Sequence, residues 1–232
     1  MRQALSYATP YQDIIAVGPL ADLATQSRGP VSTGLYPHDD SLPQYTYDLE
    51  KAKQLLAQAG YPDGKGIPKL VLTYTSAALF HAKYLPLVKE SWAKIGVEID
   101  IQPLLSSTAK AQGPPEERQD VVANRNWPSY PDGYDMLWYE FHTQDEVSYN
   151  WTYWSSAQTD ELMDTAYSLE ASDPEKATQL FSECQRLIVE AAPQVMLFDL
   201  MDVYAGSPQV KLAPGALNTY YPNVLFWQEV SR

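Results

Sequence analysis

The sequence predicts an α/β fold, a mixed β-sheet flanked by helices. Three observations carry this. Segments rich in strand formers alternate with segments whose apolar residues recur at helical spacing. Val97 to Gln102 alternates strictly, with Val97, Ile99 and Ile101 on one face and Glu98, Asp100 and Gln102 on the other, as a half-buried strand does. Helix-start and helix-stop residues bracket the periodic segments.

In chain order, residues 17 to 47 come first as a turn-rich stretch with Gly18-Pro19, Gly29-Pro30, Gly34, Pro37 and Pro43. Such long irregular crossings are functional or packed over a surface. Asp48 is placed to cap a helix whose face is Leu49, Ala52, Leu55, Leu56 and Ala59, with Gly60 as its stop and Tyr61-Pro62-Asp63-Gly64 as a turn. "LVLTYT" (70–75) reads as a strand. A second helix carries Tyr84, Leu85, Val88, Trp92 and Ile95 and ends at Gly96; Pro86 either starts or kinks it. Asp120 to Asn124 is a candidate short strand. Leu162, Met163, Ala166 and Tyr167 mark a further helix. Ser172-Asp173-Pro174-Glu175 opens the next, whose stripe is Ala177, Leu180, Phe181, Cys184, Leu187, Ile188 and Ala191. The helices at 48–59 and 174–191 are expected to pack on the sheet. "QVMLFDLMDVYA" from Gln194 reads as one strand or two.

Composition narrows the function. The 232 residues suffice for one large domain or two small ones. No run approaches the roughly 18 apolar residues of a membrane span. The opening "MRQALSYATPYQDII" lacks the basic region, apolar run and cleavage site of a signal peptide. A net charge of −13 and a pI near 4.5 argue against nucleic acid and anionic lipid as partners. Cys184, the single cysteine, falls on an apolar stripe and reads as a small buried hydrophobe. His38, His81 and His142 lie far apart, so no metal site is expected. Glu116-Glu117 and Asp39-Asp40 read as solvated loop charge. No nucleophile–base set, phosphate-cradling loop or metal motif is present, so neither catalytic residues nor a cofactor are expected.

The stretch "NWPSYPDGY" (126–134) is too stiff and too aromatic for an ordinary turn. From Trp127 to Trp154 there are ten aromatic residues, including four of the chain's six Trp. Trp and Tyr supply rigid contact area with few rotatable bonds, and Pro128 and Pro131 stiffen their mount. The alternative for any one ring is packing beneath a long loop, and for Trp138 and Tyr139, in an apolar run, that weighs more. Trp127 and Tyr130 are the better cleft candidates.

Several runs resemble one family. "YDLEKAKQLLAQAGYPDGKG" (47–66) looks like the helix-and-turn signature of the family 5 extracellular solute-binding proteins, the peptide- and nickel-type receptors of ABC importers. "RQALSYATPYQDII", "IGVEIDIQP", "NWPSYPDGY" and "YNWTYWSSAQTDELMDTA" are similar, in order and spacing, to further runs of that family. The resemblance implies one lobe of a type II periplasmic-binding-protein-like fold. Residues 1–232 would be a single C-terminal solute-binding lobe of a longer two-lobe receptor. It would act outside the cytoplasm as a monomer, close around a peptide or small organic solute with an N-terminal lobe, and deliver that solute to ABC permease subunits. The ligand-binding candidates are Trp127, Ser129, Tyr130 and Asp132, with Asn150 and Trp151 in the run that follows.

One departure matters. The family segment has an acid between its Trp and Tyr that pairs with a peptide's ammonium group, whereas here no acid lies between Trp127 and Tyr130. Asp132 matches a second acid, before a helix, where it is either an N-cap or a displaced ammonium partner. The leading expectation is a non-enzymatic binding lobe. A hydrolase acting on oligosaccharide or peptide in an aromatic cleft, and a sensory or adaptor domain, remain the alternatives.

Overall fold

The structure, a computed structural model, describes residues 1–17, 21–105, 118–201, 203, 205, 207–213, 215–217, 226, 228, 230 and 231. Its elements are α1 (Arg2–Tyr7), α2 (Tyr11–Ile15), β1 (Ala24–Gln26), α3 (Leu49–Gln58), β2 (Leu70–Thr75), α4 (Leu79–Ala93), β3 (Ile99–Leu104), β4 (Val121–Ala123), α5 (Gly133–Phe141), α6 (Ala157–Leu169), α7 (Pro174–Ala191), β5 (Phe198–Leu200), β6 (Lys211–Leu212) and β7 (Val230–Ser231). The fold is α/β, as expected. The chain forms two compact units built from interleaved segments: Met1–Gln26, Gln44–Arg125 and Glu190–Phe198 in one, Ser27–Pro43, Asn126–Val189 and Asp199–Arg232 in the other. Glu116-Glu117 and the Gly18-Pro19 turn lie outside the described residues, as do parts of the 194–205 run, whose described strand is β5.

The first unit holds a three-stranded parallel sheet in the order β3-β2-β4. Leu70 pairs with Ile99, and Leu72 faces both Ile101 and Val121. Parallel strands need covered faces, and α4 supplies Tyr84, Leu85, Val88 and Trp92 as buried side chains. Pro86 neither starts nor ends this helix; it sits inside it. An interior proline forfeits one backbone bond and costs about 3 kcal/mol, which burial of those four large side chains offsets.

Asp48 caps α3 as predicted, accepting from the Lys51 amide at 2.9 Å. At the other end Gly60 takes φ +92. Its amide donates to Ala57 O and the Tyr61 amide to Leu56 O, both at 3.0 Å, the paired bonds of a Schellman stop. The buried face of α3, Ala52 and Leu56, packs on α1 rather than on the sheet. Gly64 and Gly96 approach so closely, both at positive φ, that a Cβ on Gly64 would overlap the Gly96 backbone and one on Gly96 the Asp63 carbonyl. This contact joins the turn after α3 to the turn between α4 and β3.

The second unit is built on α5, α6 and α7. Ala177, Phe181, Cys184 and Ile188 of the α7 stripe are fully buried, while Ala191 is exposed. The α7 face, expected on the sheet, is used within this unit. Phe181 meets Tyr36 edge-on at 6.1 Å and Tyr134 at 6.2 Å, and Gln185 Nε2 donates to Pro37 O at 2.8 Å. The irregular 27–43 segment is pinned by carboxylates. Asp199 accepts from Ser27 Oγ at 2.8 Å and from Thr33 N and Oγ1 at 2.9 Å. Asp39 is not merely solvated charge: it accepts from Ser41 N and Oγ and from Ser182 Oγ on α7, and the hydroxyl and amide donors hold its carboxyl below the usual range against the opposing effect of burial.

Candidate ligand-binding surface

The segment 126–132 is a loop clamped onto the start of α5. Asp132 has extended backbone, and its side chain accepts from the Tyr134 amide at 2.7 Å. It is therefore an N-cap, satisfying a donor that the first turn leaves unpaired. Burial and the Asp135 charge push its carboxyl above the usual range, while the Tyr134 bond opposes this. Asp135 lies in the first turn, only 4% exposed. Its Oδ2 reaches back to accept from the Ser129 amide at 2.6 Å. Both acids thus fix the loop. Pro128 is buried, and the loop turns its rings outward: Trp127 is 49% and Tyr130 42% exposed. Ser129 is exposed beside them.

Asn150 is placed differently. It is 1% exposed. Its Nδ2 donates to His142 O at 3.2 Å and Trp154 O at 2.7 Å, and its Oδ1 accepts from Thr152 Oγ1 at 2.9 Å. It frames the 142–154 loop. Trp151, half-buried, donates from Nε1 to Ser148 O at 3.0 Å and lies 6.1 Å from the ring of Tyr149, which meets Tyr139 edge-on at 5.6 Å. Tyr153 takes φ +52, a conformation unusual for a bulky side chain and found at sites that the surroundings over-determine. Trp138 and Tyr139 are both half-buried.

A group of neighbours could not be read from the sequence. Tyr167, one of the residues that mark α6, is 50% exposed and stacks flat on Tyr134, with centroids 4.1 Å apart and planes 9° apart. Glu170 ends α6 in the same electrostatic neighbourhood. Burial and the Asp132 charge push its carboxyl up to about 7, and its Oε1 is buried. The Tyr130 phenol is pushed up to about 12 by burial and by Asp135, Asp132, Tyr167 and Glu170. The only advance signal for Glu170 was its position at the end of a helix. Among the described residues no three of His, Cys, Asp and Glu form a metal-holding group, and no helix is long and apolar enough to cross a membrane.

Residues 1–148 match the profile of the bacterial extracellular solute-binding proteins, family 5. The chain belongs to that family. It is 28% identical over 212 residues to the oligopeptide-binding protein AppA of Bacillus subtilis, an alignment covering 85% of this chain and 38% of that protein. It is 29% identical over 209 residues to the glutathione-binding protein GsiB of Salmonella typhimurium, covering 85% and 38%. The periplasmic binding protein DppA of Helicobacter pylori, solved in complex with the peptide STSA, superposes with a TM-score of 0.77 at 23% identity, over 99% of this chain and 43% of its own. The chain therefore spans about two fifths of the length of these relatives. As a family 5 chain it carries its aromatic loop on the Asp132 cap and the Asp135 clamp, and both carboxylates are engaged by backbone amides.

Proposed function

We propose that this chain is the solute-binding lobe of an ABC-importer receptor acting outside the cytoplasm, without catalysis. Residues 1–232 form one C-terminal lobe of a longer two-lobe protein, which is a monomer. The lobe supplies one wall of a cleft for a peptide or a small organic solute. Its partners are that solute, the N-terminal lobe and the membrane permease subunits. The observation that carries this reading is the pair Trp127 and Tyr130, half-exposed on a loop whose backbone two carboxylates fix. A preordered apolar surface loses little entropy on binding. Ser129 adds an exposed hydroxyl, Asp132 holds the frame, and Asn150 braces the loop that carries Trp151. Family membership and the named ligands of AppA, GsiB and DppA support a peptide-like solute.

The test is native mass spectrometry of the full-length protein with its co-purified solute, followed by calorimetry of the parent and Trp127→Ala. A bound solute whose affinity falls at least tenfold in the variant supports the reading. Turnover of peptide or oligosaccharide pools, with no stable complex, would favour a hydrolase instead.

A further inference from the structure

His142 ends α5 with its ring between carboxylates of α6. Nδ1 lies 2.8 Å from Thr143 O and 4.0 Å from Asp160 Oδ1; Nε2 lies 3.4 Å from Asp164 Oδ2. The Trp138 ring stacks on it at 5.4 Å and 27°. A neutral imidazole carries a single N–H, so one of its nitrogens here turns a lone pair toward an oxygen. The imidazolium donates from both.

The loop that follows hangs from this point. The Thr143 amide donates to Asp160 Oδ1 at 3.1 Å, and Asn150 Nδ2 donates to His142 O. Gln144 Nε2 donates to Trp138 O at 3.3 Å and Tyr139 O at 3.1 Å, while its Oε1 accepts from the Ser148 amide at 3.0 Å. This one loop carries Tyr149, Trp151 and Tyr153. Two further titratable groups couple to these carboxylates. Cys184 of α7 donates to Thr159 O beside Asp160, and burial pushes its thiol up to about 12. Tyr134 of α5 neighbours Asp164, and its phenol is raised by burial. Both stay neutral between about pH 5.5 and about pH 8. Asp145 and Glu146 on the loop are exposed to solvent.

We propose that His142 is a proton-operated positioning residue. Its protonation pairs the ring with Asp160 and Asp164 and tightens the 143–154 loop, with its aromatic side chains, onto α6. The consequence for solute rests on the ligand wall proposed above; the clamp itself does not, and is read without any solute.

The experiment is amide hydrogen exchange of residues 143–154 at about pH 5.5 and about pH 8, corrected for intrinsic exchange, on the chain and its His142→Gln and Asp164→Asn variants. Expected is protection that rises roughly two- to fivefold toward acid pH in the parent, the size of a partly exposed ion pair. The rise should be lost in His142→Gln and reduced in Asp164→Asn. Should His142→Gln not fold, Asp164→Asn carries the test, with Trp138 fluorescence following protonation of the stacked ring in parallel. Protection that does not change with pH in the parent, or a rise of the same size in every folded variant, would overturn the clamp. Loop protection that rises at acid pH, together with a Trp151→Ala receptor of unchanged affinity, would uphold the clamp and sink the ligand wall.

Discussion

The Ser129 amide donates to the buried carboxylate of Asp135 at 2.6 Å. This bond ties the loop bearing Trp127 and Tyr130 to the first turn of α5. Asp135→Ala would leave a loop amide without its acceptor and is expected to lower stability by about 2 kcal/mol, the range for a charge-assisted bond. Asp135→Asn keeps an acceptor oxygen and should recover part of that loss. Urea unfolding of the three proteins checks it; equal midpoints would mean the bond contributes nothing.

Asp132→Ala is expected to cost about 1 kcal/mol through loss of the cap, and Asp132→Asn or Ser to restore most of it, because each can still accept the Tyr134 amide. Thermal melts measure this. In the full-length receptor Asp132→Asn should bind its solute normally. A folded Asp132→Asn receptor that no longer binds would instead make Asp132 the partner of a ligand ammonium group, since a neutral amide cannot replace a charge-assisted pair.

Trp127→Ala and Tyr130→Ala should each lower stability by less than about 1 kcal/mol, because both rings keep much of their area in water. Phe181→Ala, which empties a fully buried site in α7, should cost about 3–5 kcal/mol. In the full-length receptor the order reverses. Truncating either loop ring should weaken solute binding by about 2 kcal/mol or more, as for a hot-spot aromatic. Calorimetry beside thermal melts separates the two, and a large loss of stability in Trp127→Ala would make that ring core instead.

One buried and one half-buried group set opposite pH windows. His81 is packed against Phe80 and Tyr84, and burial lowers its pKa to about 4. Its folded value lies below the unfolded one of about 6.5, so the folded state resists protonation. Stability is full above about 6.5 and falls as pH drops toward 4, by about 2–3 kcal/mol in all. Glu170 is raised to about 7. Its stability is full below its unfolded value and is lost as pH rises through 7. The loss is under about 1 kcal/mol once solvent screening is allowed for. Glu170→Gln should therefore melt higher than the parent at about pH 8 and no higher at about pH 4. A parent and variant that stay parallel across that range would count against the burial of Glu170.

The sequence by itself determined what neighbours along the chain decide. Asp48 and Gly60 mark the ends of α3, and Pro174 opens α7, because caps and stops act within one turn of backbone. Strand β3 was legible because alternation is a property of the strand alone. The rigid aromatic loop was legible too, from its prolines and rings. Tertiary structure decided the remainder. Tyr167 sits at helical spacing with Met163, yet it faces out and stacks on Tyr134, which lies more than thirty residues away in the chain. Asn150 looked like a wall residue, but the folding of its own loop buried it as the frame, bonded to His142, Thr152 and Trp154. Glu170 acquired its neighbour Asp132, and its raised pKa, only when α6 came against the start of α5. Burial and electrostatic coupling depend on which distant segments meet, and no local periodicity records that.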